Sequence, residues 1–380
     1  MIGDPRRSAI RILHVASGDL WAGAEVQVCQ LLCALHARTD TSVSAVIFNP
    51  GELADRLRAA GIFVKVLDER TIPPWQLLRC LLREITSSRA HVVHTHRFKE
   101  NIIGSIAARL SGTAISVRTV HGRPEYAGNR SLRHALSRWL DRITALLQVG
   151  IVGVSGELCG YLRGEFSSRK VFYVPNGIDP EMVARAASAP CSYQPRASLN
   201  VAFVGRLVAV KRVDLFLETA ALLKAVQPGR YRFVVVGSGP LLQQMTELAG
   251  RLDLTNDVDF LGFRSNSPSV LTQMDCLVLT SDHEGLPMVA LEALALGVPI
   301  VAHSVGGLPE ALEGIAGHQL VSEHTPEGYA TAIAAVTRLA RSDSRGERHC
   351  QLPARFAIST TAQSYADMYR GLLAGQFAQG

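Results

Sequence analysis

Short apolar runs alternate with segments of helical periodicity along most of this chain. The runs Ile10–Ala16, Val43–Phe48 and Phe63–Leu67 are rich in β-branched residues and too short for ordinary helices, which is typical of buried strands. Helical segments at 24–37 and 51–60 separate them. Because parallel strands need a long crossover between them, this alternation predicts an α/β fold, with a parallel sheet covered by helices on both faces.

The bulk properties narrow the possible functions. The chain has 380 residues, enough for two domains. Its net charge of +6 suits anionic small molecules or an anionic membrane surface, and it is too small to indicate a nucleic-acid partner. Seven scattered cysteines without a C-x-x-C pair favour a reducing compartment. No secretory signal and no membrane-spanning run of about 20 apolar residues is visible, so we predict a cytoplasmic protein, with peripheral attachment to the inner membrane face as an open alternative.

The stretch 281–297 has the features of an anion-binding helix start. A polar turn, Asp282 to Leu286, leads directly into Pro287, a residue well suited to the first position of a helix. The predicted helix runs over 288–296 and ends at Gly297. The backbone N–H groups of Met288 and Val289 would then be unpaired at the helix start, where they stabilise a phosphate.

Two glutamates accompany this helix start. Glu284 lies just ahead of it, and Glu292 lies about two turns along the helix on roughly the same side. Glu284 alone could be a turn residue and Glu292 a solvated position. However, the residues around Glu292 are apolar, which predicts a buried helix, and a buried carboxylate needs a partner. A ligand hydroxyl is one candidate for that partner.

A second loop carries two cations. The strand predicted at 199–204 is followed by Gly205, Arg206 and, five positions after Arg206, Lys211. Arginine makes forked contacts with phosphate and lysine supplies a point charge, so together they can neutralise a diphosphate and stabilise its charge as it departs. Solvated surface residues are the alternative.

Two features of the first half fit a ligand-binding sheet edge. Gly23 follows the first strand and precedes a helix, where a glycine allows a phosphate to approach the backbone. His121 follows the strand predicted at 115–119, at the carboxyl end where open α/β sheets bind ligands.

The pair Glu284 and Glu292, inside EGLPMVALEALALGVPIVAHSVGGLPE, resembles the E-x7-E signature of the family-four retaining glycosyltransferases. Further segments resembling this family are T-x-H-G at 119–122, V-x-N-G-I-D at 174–179, G-R-L-x-x-x-K at 205–211 and G-x-G-P at 237–240. The resemblance covers nearly the whole chain. It implies the GT-B fold, with two Rossmann-like doubly wound domains facing a deep interdomain cleft.

The resemblance also implies an activity. A sugar would pass from a nucleoside-diphosphate sugar to an acceptor hydroxyl with retention of configuration, without a metal or other cofactor. The acceptor would be a lipid-linked or surface-polysaccharide glycan. A GT-B-fold sugar-nucleotide epimerase and a non-catalytic sugar-nucleotide-binding subunit remain alternatives.

Site residues follow from the matched positions. His121 would lie beside the donor sugar, Arg206 and Lys211 would hold the diphosphate, and Glu284 and Glu292 would bind the sugar hydroxyls and the ribose. The nucleobase would lie near Gly262, Phe263 and Arg264. The full predicted donor site comprises Gly23, Gly205, Gly239, Gly262, Phe263, Arg264, Gly285, Leu286, Pro287, Met288, Val289 and Glu292. Two positions depart from the family pattern, since Ala22 and Arg212 stand where it has glycines.

The domain limits come from composition and from the resemblance. The Ala-, Ser- and Pro-rich stretch that starts near Ala184 is typical of a linker. We predict an acceptor-side domain at 1–186, a linker at 187–198 and a nucleotide-sugar domain at 199–359. A terminal helix at 360–376 would return to the first domain, as it does in the family.

Three other patterns are not assigned to the donor site. The segment 130–147 combines arginines with an apolar helical stripe and a tryptophan, so it is either an anionic-membrane contact or a core helix with a basic solvated face. His94 and His96 would share one face of a strand, but no third ligand lies nearby and a metal is not expected. Asp257 and Asp259 have D-x-D spacing, yet Asp259 falls at a strand start and the two loop cations replace a metal.

Overall fold

The computed structural model describes residues 9–123, 132–191, 193–195, 198–340 and 348–375, with the side chains of 132–138, 339 and 340 left undescribed. The chain forms two compact units, one from 1–177 together with 358–380 and the other from 178–357.

The strands, numbered in chain order, are β1 Ile10–Ser17, β2 Thr41–Phe48, β3 Phe63–Leu67, β4 Val92–Thr95, β5 Ile115–Val120, β6 Gly150–Gly153, β7 Val171–Tyr173, β8 Leu199–Val204, β9 Tyr231–Val236, β10 Val258–Gly262, β11 Cys276–Leu279, β12 Ile300–His303 and β13 Gln319–Val321. The helices are α1 Gly23–His36, α2 Glu52–Ala59, α3 Pro74–Ser87, α4 Phe98–Ser111, α5 Leu132–Leu146, α6 Gly156–Glu165, α7 Pro180–Ala187, α8 Val213–Val226, α9 Leu242–Arg251, α10 Ser267–Leu271, α11 Met288–Ala295, α12 Leu308–Leu312, α13 Pro326–Ala340 and α14 Ile358–Leu373.

The first unit is built on a seven-stranded parallel sheet in the order β3-β2-β1-β4-β5-β6-β7. Strands β1 and β4 are almost completely buried, as expected for central strands covered by helices on both faces. One apolar cluster joins β1 and α1 to Tyr365 and Tyr369 of α14, and a second lies under α3 and α4. Helix α14 is therefore part of the first unit, as predicted for the terminal helix.

The second unit repeats this architecture with a six-stranded parallel sheet in the order β10-β9-β8-β11-β12-β13. Its main core packs α8 and α13 against β8 and β9. In both sheets the order reverses beside the first strand of the unit, between β1 and β4 and between β8 and β11. That order is the Rossmann-like doubly wound topology, which places ligands at this reversal, at the carboxyl ends of the strands.

The unit boundary lies earlier than the predicted end of the first domain at residue 186. Asp179 caps α7 by accepting from the N–H of Glu181 at 2.9 Å, and α7 packs against α10 and α11 of the second unit. The described residues of the predicted linker at 187–198 also belong to this unit, where the hydroxyl of Tyr193 donates to Asn200 Oδ1 at 3.0 Å. The alanines at 184, 186 and 187 therefore belong to a helix and not to a linker.

Helix α5 does not bury its whole apolar stripe. Thr144, Ala145 and Gln148 face the protein, whereas Trp139, Ile143 and Leu146 are 58%, 39% and 75% exposed. These three residues have i, i+4, i+7 spacing and lie on one face of the helix. The alternative of a core helix with only a basic solvated face is therefore wrong for this part of α5.

The two aspartates with D-x-D spacing make ion pairs within the second unit. Asp259 accepts from Arg232, and Asp257 lies 3.0 Å from the ammonium of Lys224. Their carboxylates thus join the start of β10 to the start of β9 and to the last turn of α8, which is a structural role.

Candidate active site

Two loops of the second unit flank the point where its strand order reverses. One follows β8 and spans 205–212, and the other follows β11 and spans 280–287. The loops are tied together: the backbone N–H of Asp282 donates to Val210 O at 2.9 Å, and Thr280 Oγ1 donates to Lys211 O at 2.9 Å. Both predicted motifs therefore form one corner at the carboxyl edge of the sheet.

Lys211 and Glu284 meet in this corner. Glu284 Oε1 accepts from Lys211 Nζ at 2.5 Å and from Ser281 Oγ at 2.6 Å. Both bonds use Oε1, so among the described residues Oε2 remains an acceptor for another group. The ammonium has three donors, so it can also contact a second anion. The corner can therefore hold negative charge and hydroxyl groups at the same time.

The other two cations of the β8 loop differ from each other. Arg206 is exposed and has no ion-pair partner among the residues that the structure describes. Arg212 adopts a left-handed conformation, with φ of 49°, and its guanidinium pairs with Asp214 and with Asp282, at 3.2 Å from the latter. The charge of Arg212, at the family's glycine position, is thus compensated within the unit, whereas the charge of Arg206 remains available.

Helix α11 starts at 288 as predicted, but Pro287 precedes its first turn instead of occupying the first helical position. Pro287 is its N-cap and Met288 its first residue, so the N–H groups at 288 and 289 have no acceptor within the helix. Glu292 is 7% exposed and its Oε2 accepts from Ser267 Oγ at 2.8 Å. Burial raises the pKa of Glu292, and the bond from Ser267 opposes that rise. The predicted burial of Glu292 is confirmed, and a protein hydroxyl is one of its partners.

Glycine is required where the β12–α12 turn contacts the β11 loop. Gly306 has φ of 62°, and a Cβ there would lie 2.3 Å from the carbonyl oxygen of Glu284. The N–H of Gly307 donates to Gly285 O at 2.6 Å. These contacts fix the backbone of Glu284 and Gly285. A Cβ at Gly239 would similarly lie 2.4 Å from Leu207 O, so the two glycine loops after β8 and β9 pack directly on each other.

The remaining predicted donor-site residues lie at loop starts. Gly205 directly follows β8, and its N–H donates to Val236 O at 2.9 Å. Gly262 ends β10 with φ of 68°, and the two following side chains, Phe263 and Arg264, are exposed. An exposed aromatic ring beside an arginine can stack on a flat ligand. Their contact with a nucleobase stays a prediction, as does the contact of Leu286 with a phosphate.

The first unit carries the two other predicted site residues. Gly23 is the first residue of α1, and the N–H of Ala22 donates to Glu25 Oε2 at 3.2 Å. Glu25 is buried and pairs with Arg97, which follows β4. A small, polar helix start is therefore present, and its use for phosphate stays a prediction.

His121 follows β5 and is hydrogen-bonded to another histidine. Its Nε2 lies 3.3 Å from Nδ1 of His96, and its own Nδ1 is covered and has no partner among the residues that the structure describes. Burial, followed by the nearby charge of Arg97, lowers the pKa of His121 to about 4. The ring is thus neutral at pH 7 and can act as a hydrogen-bond donor or acceptor.

His94 and His96 share a face, as predicted, and they stack with a third ring, His14. Both nitrogens of His94 are occupied, by Tyr369 OH at 2.6 Å and by Thr119 Oγ1 at 2.8 Å. His94 therefore attaches α14 to the sheet. Among the described residues no group of His, Cys, Asp or Glu has an arrangement that could hold a metal ion.

The sequence interpretation missed three side chains. Ser281 and Ser267 each bond a site glutamate, and His14 bonds His96 from a strand 82 positions away. Serines give no distinctive pattern. A histidine in the otherwise apolar run of β1 was the one available signal, because a buried imidazole needs a polar partner.

A membrane-spanning helix is not found in the part of the chain that the structure describes. The sequence matches two family models, "Glycosyltransferase Family 4" at residues 21–182 and "Glycosyl transferases group 1" at residues 198–338. Together they cover more than half of the chain.

Relatives and solved structures agree with these matches. The chain is 28% identical over 317 residues to an Escherichia coli UDP-Gal:alpha-D-GlcNAc-diphosphoundecaprenol alpha-1,3-galactosyltransferase, covering 79% of this chain and 81% of the relative. It is 28% identical over 419 residues to a D-inositol 3-phosphate glycosyltransferase from Rhodococcus erythropolis, covering 97% and 92%. Anabaena HepE, solved in complex with UDP-glucose, shares the fold with a TM-score of 0.75 at 18% identity over 95% of this chain and 100% of that one. The chain therefore belongs to the family-four glycosyltransferases and has the α/β GT-B fold.

Proposed function

We propose that this glycosyltransferase takes a sugar from a nucleoside-diphosphate sugar and transfers it, with retention and without a metal, to a hydroxyl of a lipid-linked or surface-polysaccharide glycan. The observation that carries the proposal is the ion pair between Lys211 and Glu284, 2.5 Å apart beside the start of α11. A cation, a carboxylate and unpaired backbone N–H groups are the groups that a sugar diphosphate requires.

The second unit supplies each chemical step on the donor side. Lys211 and Arg206 neutralise the diphosphate, and the N–H groups at 288 and 289 contact its oxygens. As the bond to the sugar breaks, negative charge grows on the phosphate, and a fixed ammonium stabilises that charge. The two cations supply the charge that a metal ion provides in other transferases. We therefore expect full activity in the presence of EDTA.

Glu284 is assigned to the sugar hydroxyls. Its Oε1 is held by Lys211 and Ser281, so its orientation is fixed while Oε2 accepts from a hydroxyl. A carboxylate in an ion pair with an ammonium is a poor covalent nucleophile, which supports retention by attack on the same face. In that reaction the acceptor oxygen bonds to the anomeric carbon, the bond from that carbon to the phosphate breaks, and the acceptor proton passes to the departing phosphate.

The donor and the stereochemistry are tested together. A thermal-shift panel of UDP-, GDP- and ADP-sugars identifies the nucleotide, and the donor that stabilises the protein is then supplied radiolabelled with a membrane extract. Transfer of label into the lipid fraction, with the anomeric configuration of the donor kept in the NMR spectrum of the product, is expected. Stabilisation without transfer would indicate a binding subunit, and conversion of the donor sugar without acceptor would indicate an epimerase.

The apolar stripe of α5 supports a lipid-linked acceptor. Trp139, Ile143 and Leu146 are exposed side by side, and Arg142 beside them is 62% exposed and pairs with Glu165 at 2.8 Å. A tryptophan, aliphatic side chains and an arginine on one helix are typical of a surface that lies on an anionic bilayer. We therefore assign this face to peripheral contact with anionic lipid, where a lipid-linked acceptor would be found.

Liposome flotation tests this contact. The variant Leu146→Asp is expected to lose most of its recovery with anionic vesicles because it places a carboxylate in the apolar stripe. The control Val226→Asp changes a comparably exposed apolar residue of the second unit, 69% exposed, and should float like the wild type. Equal recovery of the wild type with neutral and anionic vesicles would remove the electrostatic part of the proposal.

A further inference from the structure

We propose that His303 is a positioning residue for Glu284, because it holds the peptide group that follows Ser281 against the loop after β8. His324 fixes the His303 ring by stacking on it. All the contacts that support this proposal lie within the second unit, and only the consequence for transfer rests on the proposed function.

Three adjacent strands bring these groups to one edge of the sheet. Strands β11, β12 and β13 are parallel neighbours, so their carboxyl ends lie at the same edge. Ser281 lies just beyond β11, His303 is the last residue of β12, and His324 lies just beyond β13. Because β12 is the middle strand of the three, His303 lies between the loop that carries Glu284 and the loop that carries His324.

The peptide group between Ser281 and Asp282 is held on both sides. Its carbonyl oxygen, Ser281 O, lies 2.9 Å from Nδ1 of His303. A carbonyl oxygen can only accept, so Nδ1 carries the ring proton and donates. The N–H of the same peptide group, on Asp282, donates to Val210 O at 2.9 Å. Since a peptide group is planar, His303 and the loop after β8 together fix its orientation.

The orientation of this peptide group affects both bonds to Glu284. The hydroxyl of Ser281 donates to Glu284 Oε1 at 2.6 Å. Val210 directly precedes Lys211, whose Nζ donates to the same oxygen at 2.5 Å. Rotation of the peptide plane would therefore move the hydroxyl relative to the ammonium and weaken their shared contact with Oε1. His303 touches neither Glu284 nor Lys211 in these bonds, so its effect on the pair is indirect.

The second ring of the stack is neutral at pH 7. Burial, followed by the proximity of His303, lowers the pKa of His324, and the bond to Asp282 opposes that change. The centroids of the two rings are 3.9 Å apart, with an angle of 18° between the ring planes. A neutral ring at this distance adds no repulsion between like charges. The stack therefore restrains His303 in the orientation that directs Nδ1 to Ser281 O.

The partners of His324 fix its own orientation. Its Nδ1 lies 3.0 Å from the hydroxyl of Tyr329, and burial raises the pKa of this phenol, so the phenol keeps its proton and donates. Nε2 therefore carries the ring proton and donates to Asp282 Oδ1 at 3.1 Å. Tyr329 is fully buried in the core of the second unit. The stack is thus anchored to α13 on one side and to the loop after β11 on the other.

A purely structural role for His303 is the alternative, and His318 provides the matched control. Both histidines are partly buried and bond the backbone near an end of β12. Nδ1 of His318 accepts from the N–H of Ile300 at 3.1 Å, at the end of β12 opposite to His303. If His303 only stabilises the sheet, leucine at either position should have similar effects on the loop after β11.

Hydrogen–deuterium exchange of the full-length protein tests the contact without any substrate. In His303→Leu the segment 281–286 should exchange roughly fivefold to tenfold faster than in the wild type, since one hydrogen bond that holds it is lost. His318→Leu should leave this segment unchanged. His303→Asn should restore protection, because its side-chain N–H lies as many bonds from the backbone as Nδ1 does. Unchanged exchange in His303→Leu would overturn the proposal.

Two further measurements cover the ring proton and the stack. In the ¹⁵N NMR spectrum of the histidine-labelled wild type, assigned by the resonance lost in His303→Asn, Nδ1 of His303 should be protonated. Unprotonated Nδ1 would overturn the proposal whether or not the leucine variant folds. His324→Phe keeps a flat ring and His324→Ala removes it, so only the alanine variant should increase exchange of the segment 281–286. Equal exchange in these two variants would refute the role of the stack.

Kinetics test the consequence for transfer. His303→Leu should lower kcat/KM about tenfold, His303→Asn should recover most of this loss, and His318→Leu should match the wild type. In a Ser281→Ala background His303→Leu should cost less than in the wild type, because both residues act on Glu284. Full additivity would overturn the link to Glu284. If the wild type shows the expected exchange but no transfer, the proposed function is refuted and the contact itself stands.

Discussion

Replacing Lys211 with alanine is expected to lower kcat by about a hundredfold or more. The side chain supplies the ammonium whose Nζ lies 2.5 Å from Glu284 Oε1, at the corner formed by the loops after β8 and β11. Removing one preorganised charge-stabilising contact typically costs about 2.7–4 kcal/mol in the transition state. Steady-state kinetics with the donor identified by thermal shift measure the loss.

A neighbouring cation provides the matched control. Arg212 is the next residue and carries the same charge, but it is already paired with Asp214 and Asp282. Arg212→Ala should therefore change kcat by no more than about threefold, because exposed ion pairs contribute little. Activity of Lys211→Ala within about threefold of the wild type would refute the role assigned to this lysine.

The double variant distinguishes two ways in which Lys211 could act. If Lys211 only holds Glu284 in place, Lys211→Ala/Glu284→Gln should be no less active than Glu284→Gln. If Lys211 also contacts the diphosphate, its loss should lower activity further in the Glu284→Gln background. Residues in contact couple in such cycles, so the size of the non-additive part measures their shared role.

Three further predictions concern other parts of the structure. Burial raises the pKa of Glu292, so the folded protein binds the carboxyl proton more tightly than the unfolded chain does. The free energy of unfolding therefore falls as pH rises from the usual carboxyl pKa through the raised pKa of Glu292. The Glu292→Gln variant has no such loss, so the difference in Tm between the variant and the wild type should shift in favour of the variant across this pH range. A Tm difference that stays constant with pH would contradict a raised pKa of Glu292. Gly306→Ala should lower Tm and nearly abolish transfer, because its Cβ would lie 2.3 Å from Glu284 O at a φ of 62°; near wild-type values of both would show that the turn can shift. Tyr369→Phe should lower the free energy of unfolding by about 1–3 kcal/mol, because Nδ1 of buried His94 loses its partner, and unchanged urea denaturation would show that this bond contributes nothing.

The fold was predictable because its signals are local. The strands at 63–67 and 199–204 have the predicted limits, since short β-branched runs between loops allow little variation. Helix α7 was not predicted, because its alanines run into an Ala-, Ser- and Pro-rich stretch that is typical of a linker. Its place in the second unit depends on packing against α10 and α11, which no local pattern records.

The candidate site was predictable where spacing carries the information. Lys211 and Glu284 lie in loops 73 positions apart, and each loop has its own motif, so their meeting at one sheet edge follows from the doubly wound topology. The pairing of the charge of Arg212 with Asp214 and Asp282, and the exposure of the Leu146 side chain, could not be predicted. Both depend on which distant side chains and surfaces surround them, and neither residue type has a fixed preference for one outcome.

The placement of α14 has a consequence for how the protein is made. The second unit is one uninterrupted stretch of sequence, while the first unit needs residues that leave the ribosome only after the second unit has been synthesised. Until then the apolar surface later covered by Tyr365 and Tyr369 is open on the nascent chain, where chaperones can bind it. The second unit can therefore fold before the first unit is complete. Termination of translation before residue 358 would leave the first unit without α14, although most of that unit is encoded at the start of the gene.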